Sequence, residues 1–473
     1  MKNIFVFKLI VIFSLLLAGC GAGKVDATFT PTVNATNTPS VSPTDAPTNS
    51  PTDAPTATES SATTDTPVPV NTAPAPTTSV VFPVGPGGSD VIPHQIVRTN
   101  NDYLYIFSSA QDSNVLRAYR TLKPGFPESA ADFVPVIEFT ESRSIMSVDA
   151  LYDGGNIIHV IINTKAGEAK DYPFDTTTNS YMPAITLAMD SGVVDSGLYI
   201  GTSGVTGMVD LKGNIHFAYW RNDNHILYRA YTYDSAANSL TPLGDFFQVD
   251  TAGSANHPVL AVSPKDNSVT VAWISESDSP TLIRARTRAS DGSWGEVEVA
   301  STFQFPDGVA VWTSKDNGLN IDQGPSLVID SDGVKHMVYI ESFNAAIGDY
   351  GRVHYLTDSG SGWVDEALNF LSHDPALALK ASGEVYVIGH GHHRNLSAEE
   401  PCYSMDTMCY VKKNADGSWG VPASVIAQTD QGSFDASPSV KWSVVGFNRP
   451  EMIEFIFFMT PYEDPTVYYA RLP

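Results

Sequence analysis

Strand-like segments recur along most of the chain and predict an all-β fold, a seven-bladed β-propeller of four-stranded antiparallel blades. The segments have alternating or continuous apolar character, Gly, Asp and Asn turns separate them, and no stretch shows sustained helical periodicity. One strand pattern occurs seven times, in copies that begin at Asp102, Asn156, Asn214, Ser268, Val334, Glu384 and Glu451. The copies recur at intervals of about 50 to 65 residues. Repeats of this length, with four short strands each, are typical of propeller blades.

The strands around each copy complete the blade. A preceding strand begins at His257, Gly324, Asp374 and Ser437, and a fourth strand is often opened by a tryptophan, as at Trp294, Trp363 and Trp419. The last unit has only three strands, whereas SVVFPV at Ser79 has no partner of its own. We therefore expect the N-terminal strand to close the ring, because an open array would leave exposed sheet edges. Since the second unit is weakly patterned, six or eight blades remain open as alternatives.

Residues 1–20 have the layout of an export signal. Lys2 and Lys8 precede an apolar run too short to span a bilayer. The sequence Leu-Ala-Gly-Cys ending at Cys20 resembles the lipobox of bacterial lipoproteins, which implies that Cys20 carries a lipid. The alternative is an ordinary secretory signal with an incidental cysteine. The resemblance implies an extracytoplasmic protein, lipid-anchored to the cell membrane or the outer membrane and exposed at the cell surface.

Residues 21–78 are predicted to be a disordered tether, and residues 79–473 the propeller. The tether is dominated by Thr, Pro, Ser, Ala, Asn and Asp, and the sequence PTDAP occurs at Pro43 and again at Pro51. Such a composition has too few apolar side chains to form a core, and its prolines favour extended polyproline II. The segment is therefore interpreted as a spacer.

Charge and cysteine content narrow the chemistry. The chain has 27 basic and 52 acidic residues and a net charge of −25, which argues against binding of nucleic acid or electrostatic adhesion to anionic lipid. Apart from Cys20, the cysteines are Cys402 and Cys409, close together in a chain that we expect to meet an oxidising compartment. A disulfide between them is favoured over a two-thiolate metal site or a catalytic thiol.

The blades resemble those of sialidase-like, BNR-type propellers. The resemblance depends on Asp-box-like turns at Asp291 and Asp416, although each aspartate lies three residues before its tryptophan and not five. The first blade lacks the Arg-Ile-Pro motif of sialidases, so sialidase activity is not expected. The segment HDPALAL from His373 is similar to the Asp-Pro strand of propeller glycosidases and makes Asp374 a candidate catalytic base. Catalysis would need a second carboxylate, which the sequence does not identify.

Loop lengths predict where a ligand binds. The long insertions, which start near Phe303, Ser342 and Gly389, all fall on one face of the predicted ring, and loops on a rigid scaffold commonly carry function. The candidate ligand contacts on this face are Trp220, Arg221, His257, Trp312, Asp322, Tyr350, His373, Asp374 and Arg394. The run His390, His392 and His393 is a candidate site for a divalent metal, with a polar loop as the alternative. Histidines within strands, at 159, 216, 336 and 354, are interpreted as structural.

Together these features favour a surface-displayed module that binds a glycan or a protein, or acts as a scaffold. The alternative is an anchored glycoside hydrolase or a related polysaccharide-active enzyme, and a third class is a scaffold for envelope assembly. We expect a monomer, with no cofactor other than the candidate metal.

Overall fold

Seven antiparallel β-sheets are formed by the residues that the computed structural model describes, which are 79–87, 95–110, 113–192, 204–275, 282–301, 325–340, 352–380, 382–391, 407–426, 452–459 and 466–473. Each sheet is one blade, so the predicted seven-bladed propeller is confirmed. Within these ranges the helical content is one 3-10 turn at Ala130–Asp132, and no helix has the length and hydropathy to span a bilayer.

The strands follow the predicted order within each blade. The first described strand is β1 (Val80–Pro86), which belongs to the last blade. Blade 1 contains β2 (Gln95–Arg98), β3 (Leu104–Ser109), β4 (Val115–Thr121) and β5 (Phe133–Thr140). Blade 2 contains β6 (Ile145–Tyr152), β7 (Ile157–Thr164), β8 (Ala169–Asp175), β9 (Ser180–Tyr181) and β10 (Ile185–Ala188). Blade 3 contains β11 (Val205–Val209), β12 (Ile215–Trp220), β13 (Ile226–Asp234), β14 (Ser239–Pro242) and β15 (Phe247–Gln248).

The second half of the ring repeats the pattern. Blade 4 contains β16 (Ala255–Val262), β17 (Val269–Ser275), β18 (Leu282–Arg288) and β19 (Glu298–Val299). Blade 5 contains β20 (Ser326–Ile329), β21 (Lys335–Ile340), β22 (Arg352–Asp358) and β23 (Val364–Leu371). Blade 6 contains β24 (His373–Leu379), β25 (Val385–Gly391), β26 (Thr407–Lys412) and β27 (Ala423–Ile426). Blade 7 contains β28 (Ile453–Met459) and β29 (Thr466–Leu472), and it is completed by β1.

The N-terminal strand closes the ring, as the sequence predicts. β1 pairs antiparallel with β29, with Val80 opposite Arg471 and Pro86 opposite Thr466. Phe82 of this strand packs against Phe133 of blade 1 and Tyr469 of blade 7, at ring-centroid distances of 6.2 and 5.2 Å. The two ends of the propeller sequence therefore form one blade, and the outer edge of β29 is covered.

Apolar side chains form one layer between each pair of neighbouring blades. The layer between blades 5 and 6, for example, includes Val328 and Leu377, whereas Leu327 and Ala378 face the layers on the other sides of the same blades. Seven such layers account for the buried core, one for each junction of the ring. Because both faces of a blade are buried, its strands read as continuous apolar runs.

The first strand of each blade lies nearest the axis of the ring. Side chains of the preceding blade accept hydrogen bonds from several of its backbone N–H groups. The Asp149 carboxylate accepts a hydrogen bond from the Gly207 N–H at 2.9 Å, and the Ser326 hydroxyl oxygen accepts one from the Leu377 N–H at 3.1 Å. These bonds satisfy buried backbone donors and fix the height of one blade relative to the next.

Buried ion pairs hold the junction between blades 7 and 1. The Arg98 guanidinium of β2 donates to both carboxylate oxygens of Glu454 in β28, and also to the Asp102 carboxylate at 2.7 Å. Burial alone would lower the pKa of Arg98, but the Glu454 carboxylate raises it above its usual range. Nearby, the fully buried Arg471 donates to the Pro127 carbonyl oxygen and the Glu128 carboxylate, both at 3.1 Å.

This junction explains an irregular loop length. The sequence places one long turn, residues 123–131, on the face where the other turns are short. In the structure this turn brings Phe126, Pro127 and Glu128 onto the two buried arginines, and the Phe126 ring lies 5.4 Å from the Arg98 guanidinium and 5.1 Å from that of Arg471. The loop therefore covers the junction at which the ring closes.

We predict that Glu454→Ala lowers the free energy of unfolding by about 3 kcal/mol, because it leaves the buried Arg98 charge with only one carboxylate partner. Glu138→Ala is the matched control, since its ion pair with Arg117 lies at the surface, with the Glu138 side chain 63% exposed, and such a pair contributes about 1 kcal/mol or less. Urea titration of both variants measures the difference. Equal losses from the two would contradict the assignment of Glu454 as the principal contact.

Candidate functional site

The two faces of the ring differ in their connections. The face that carries the first-to-second and third-to-fourth strand connections is called the turn face, and the opposite face the loop face. The turns between first and second strands share one backbone hydrogen bond, which spans five residues of the turn. The Asp210 N–H donates to the Asn214 carbonyl oxygen at 2.8 Å, and the Asp330 N–H donates to the Val334 carbonyl oxygen at 3.0 Å. Gly213 and Gly333 both have a φ of 80°, which a residue with a side chain rarely adopts. These turns are short and alike.

The loop face carries the long connections, as expected from the sequence. They lie between Val299 and Ser326, between Ile340 and Arg352, and between Gly391 and Thr407. Most residues of these connections are outside the described ranges, and so are several predicted site residues: Trp312, Asp322, Tyr350, His392, His393 and Arg394. Their roles stay predictions, as do those of Cys20 and Cys402.

The mouth of blade 6 brings three predicted positions together along the backbone. His373 of β24 lies opposite His390 of β25, and a β-bulge follows between His373 and Ala376, the stretch that contains Asp374. The strand register therefore places His390 directly across from His373, on the face where the sequence predicts ligand contacts.

Blade 4 repeats this arrangement. Asn256 lies opposite Ile274, and the equivalent bulge between Asn256 and Val259 contains His257, so His257 occupies the repeat position of Asp374. The φ of His257 is 51°, in the left-handed region that is costly for a residue with a side chain. Its side chain is buried, with 3% exposed, and the imidazole Nδ1 lies 2.9 Å from the Asn256 amide oxygen. His257 is therefore not an open surface contact.

Trp220 and Arg221, predicted as ligand contacts, have different environments. Trp220 is 9% exposed and belongs to the layer between blades 3 and 4, and Gly192 lies so close to the indole face that an added Cβ would come within 2.7 Å of it. The indole is thus not an open platform for stacking. Arg221 is partly exposed, and its guanidinium donates two hydrogen bonds to Asp223, at 2.7 and 2.5 Å. This pairing lowers the pKa of Asp223 and raises that of Arg221.

Several polar contacts at the loop face were not predicted from the sequence. The Tyr219 hydroxyl donates to Asp190 at 2.9 Å. The buried Asp250 carboxylate accepts from the Ile226 N–H at 2.7 Å and lies 2.8 Å from Nδ1 of His225, whose side chain is 26% exposed. These contacts join residues from separate strand ends, and no local pattern in the sequence marks them.

A further unpredicted cluster surrounds Glu141, at the junction of blades 1 and 2. Its buried carboxylate accepts hydrogen bonds from the Tyr172 hydroxyl and from the Ser142 N–H and hydroxyl, the last two at 2.6 and 2.8 Å. Lys170 lies 3.4 Å away. Burial opposes ionisation, but these donors outweigh it and lower the pKa of Glu141. The carboxylate is held ionised by its own neighbours.

The strand histidines are buried and bonded within their blades, in agreement with their interpretation as structural. Two blades repeat one relay: His216 lies 3.1 Å from Asp210 and 2.5 Å from the Tyr228 hydroxyl, and His336 lies 3.2 Å from Asp330 and 2.6 Å from the Tyr355 hydroxyl. His159 and His354 lie 2.7 and 2.6 Å from Asp171 and Asp365.

The Asp-box-like tryptophans complete these relays from the next blade. Trp294 packs edge-on against Tyr228, and Trp419 against Tyr355, each at a centroid distance of 5.0 Å. They are contacts between blades on the turn face. Their geometry accounts for the tryptophans without a ligand.

The predicted metal site and disulfide lie mainly outside the described ranges. In the described ranges no three His, Cys, Asp or Glu side chains are grouped so that they could hold a metal ion, and two of the three candidate metal histidines lie outside those ranges. Cys409 is fully buried in β26, whereas its predicted partner is outside the described residues, so the disulfide stays a prediction.

No family model matches the chain. No curated protein matches it either. Among solved structures, the BP39L lectin of Burkholderia pseudomallei is 11% identical, with 82% of this chain and 96% of that chain covered and a TM-score of 0.50. An α-L-arabinofuranosidase of Fusarium graminearum is 8% identical (83% and 97% covered, TM-score 0.43), and a fucose-specific lectin of Aleuria aurantia is 11% identical (72% and 95% covered, TM-score 0.38). The similarity to the first of these shows a shared propeller fold.

We predict that His336 makes stability depend on pH. Burial lowers the pKa of its imidazole more than the Asp330 carboxylate raises it. Unfolded histidine titrates near pH 6.5, so between the two pKa values the unfolded chain binds more protons, and stability is lost as the pH falls below about 6.5. Urea unfolding at pH 7.5 and 5.5 should show a smaller loss for His336→Gln than for the wild type. Asp332→Asn, on the same turn but exposed, should keep the wild-type loss, and an unchanged loss in His336→Gln would refute the prediction.

Proposed function

We propose that the protein is a lipid-anchored propeller, displayed at the cell surface, that binds a glycan or a protein through its loop face. The observation that carries the proposal is the difference between the two faces. Short turns are sufficient to connect blades, and longer loops add a cost in conformational entropy without stabilising the ring. Their concentration on one face is best explained by ligand binding there.

The chemistry of the loop face supports this choice. Its described part holds carboxylates, hydroxyl groups and a guanidinium in fixed positions, as in the pairs Tyr219–Asp190 and Arg221–Asp223. Such groups can bond sugar hydroxyls or peptide groups, and they cost little further ordering when a ligand arrives. The solved neighbour from Burkholderia pseudomallei is a lectin by name, so the same fold is used for carbohydrate binding elsewhere.

We also propose that the blades are related to those of BNR-type propellers. Trp294 and Trp419 occupy third-to-fourth turns and contact the preceding blade, which is compatible with degenerate Asp-boxes retained for packing. Sialidase activity is not proposed.

The second candidate function is an anchored glycoside hydrolase. It is favoured by the position of Asp374 in a bulge at the mouth of blade 6, opposite the end of β25. The same bulge occurs at His257 in blade 4, so the backbone shape belongs to the repeat and only the carboxylate is particular to blade 6. A binding role therefore requires fewer assumptions.

The proposal predicts that ligand contacts lie at blade 6. On a glycan array, His390→Ala combined with His392→Ala should abolish binding to the glycans that the wild type retains, while the melting temperature stays within about 2 °C. Asp416→Ala is the control on the turn face: its carboxylate accepts from the Ser418 N–H at 3.0 Å, so its loss should lower the melting temperature slightly and leave binding intact.

A panel of chromogenic glycosides separates the two functions. No turnover is expected from a binding module. Turnover that disappears in Asp374→Asn would establish the enzyme instead, and equal loss of glycan binding from substitutions on both faces would refute the assignment of the loop face.

The anchor is tested by Cys20→Ser. Because only a thiol accepts the diacylglyceryl group, the variant should lose metabolic labelling by fatty acid and leave the membrane fraction, as soluble protein or uncleaved precursor. Ser14→Ala, within the apolar run of the signal, should leave both labelling and fractionation unchanged. Unlabelled wild-type protein free in the medium would contradict lipidation.

A further inference from the structure

The strand that follows the tether begins at the turn face. Val80 of β1 lies opposite Arg471, near the end of β29, and the adjoining Pro473 carbonyl oxygen accepts a hydrogen bond at 2.7 Å from Nζ of Lys380, in a first-to-second turn of blade 6. The chain that precedes residue 79 therefore joins the propeller on the face opposite the long connections.

β1 then runs the full height of the blade. Its other end, Pro86, lies opposite Thr466, at the start of β29, and the Pro86 carbonyl oxygen accepts a hydrogen bond from the Tyr119 hydroxyl at 2.5 Å. The strand thus leads from the turn face to the loop face along one edge of the ring.

From this placement we infer that tension between the anchor and a ligand on the loop face passes lengthwise through β1 and loads its pairing with β29 in shear. The inference rests on the proposed anchor and ligand face, but the load path itself is a property of the fold. Antiparallel hydrogen bonds lie perpendicular to the strands, so a pull along β1 loads all of its six register pairs together.

Side-chain packing along β1 resists the same displacement. Phe82 lies between Phe133 and Tyr469. The backbone at Gly85 lies under the Tyr119 ring, where an added Cβ would come within 2.6 Å of a ring carbon. Sliding β1 toward the turn face would therefore break hydrogen bonds and interdigitated contacts in one step.

Tension applied at the turn face has the opposite geometry. Val80 and Pro473 are near each other, so pulling them apart opens the β1–β29 pairing one residue pair at a time from that end. The fold offers high resistance only when the load is applied at the loop face.

Single-molecule pulling of the full mature chain tests this inference. One handle is attached at Gly21, and the second at an azide-bearing residue at position 222, an exposed site in the second-to-third turn of blade 3 on the loop face. For comparison, the second handle is attached after Pro473 or at position 332, an exposed turn-face site. We expect the first rupture force to be about twofold higher with the handle at 222, because the strand pairs break together.

Two variants show whether the first rupture is the release of β1. Phe82→Ala should lower the first rupture force from position 222, whereas Phe247→Ala, which removes a ring stacked 4.7 Å from Trp294 in another junction, should not. Equal first rupture forces from both faces, or no effect of Phe82→Ala, would overturn the inference. No ligand enters the measurement, so a failure to find glycan binding would count against the proposed function and leave this result unaffected.

Discussion

The structure depends on closing the ring. Each blade buries apolar side chains on both of its faces, so a blade without a neighbour would expose a whole layer of the core. Closure joins the two ends of the propeller sequence through the pairing of β1 with β29 and the packing of blade 7 on blade 1, because no peptide bond links β29 to β1. Three features stabilise this closure: the pairing of β1, the Arg98–Glu454 ion pair and the turn that carries Phe126. No other junction in the described part of the chain combines all three.

Contacts between neighbouring blades also account for many polar residues of the turn face. These residues therefore do not indicate a ligand site. The relays of aspartate, histidine and tyrosine in blades 3 and 5 join a turn to the third strand, and a tryptophan from the next blade packs against each tyrosine. In the sequence these residues could suggest a catalytic cluster or an Asp-box. In the structure the aspartate, histidine and tyrosine side chains bond one another, the tryptophan rings pack on the tyrosines, and the whole cluster holds neighbouring blades together.

The fold was predictable because its signal is repeated. Seven similar strands specify the blade, and the unpaired SVVFPV segment specifies closure, since strand number and edge protection follow from general rules. The site was less predictable because its members come from different blades and depend on burial. Trp220 is the last residue of its strand, which suggests an open mouth, yet Gly192 covers it. Glu141 carries no motif, yet Tyr172 of blade 2 and the adjoining Ser142 both bond its carboxylate.

The placement of β1 connects the proposed anchor with the proposed ligand face. A tether joined to the loop face would compete with ligands for that surface and would load the blades through their connections. A tether joined at the turn face sends tension along a strand that is paired over its length. A ligand that diffuses freely exerts no such tension, whereas one fixed to another surface does. Within the proposed function, this geometry favours a glycan or protein fixed to another surface over a small soluble ligand.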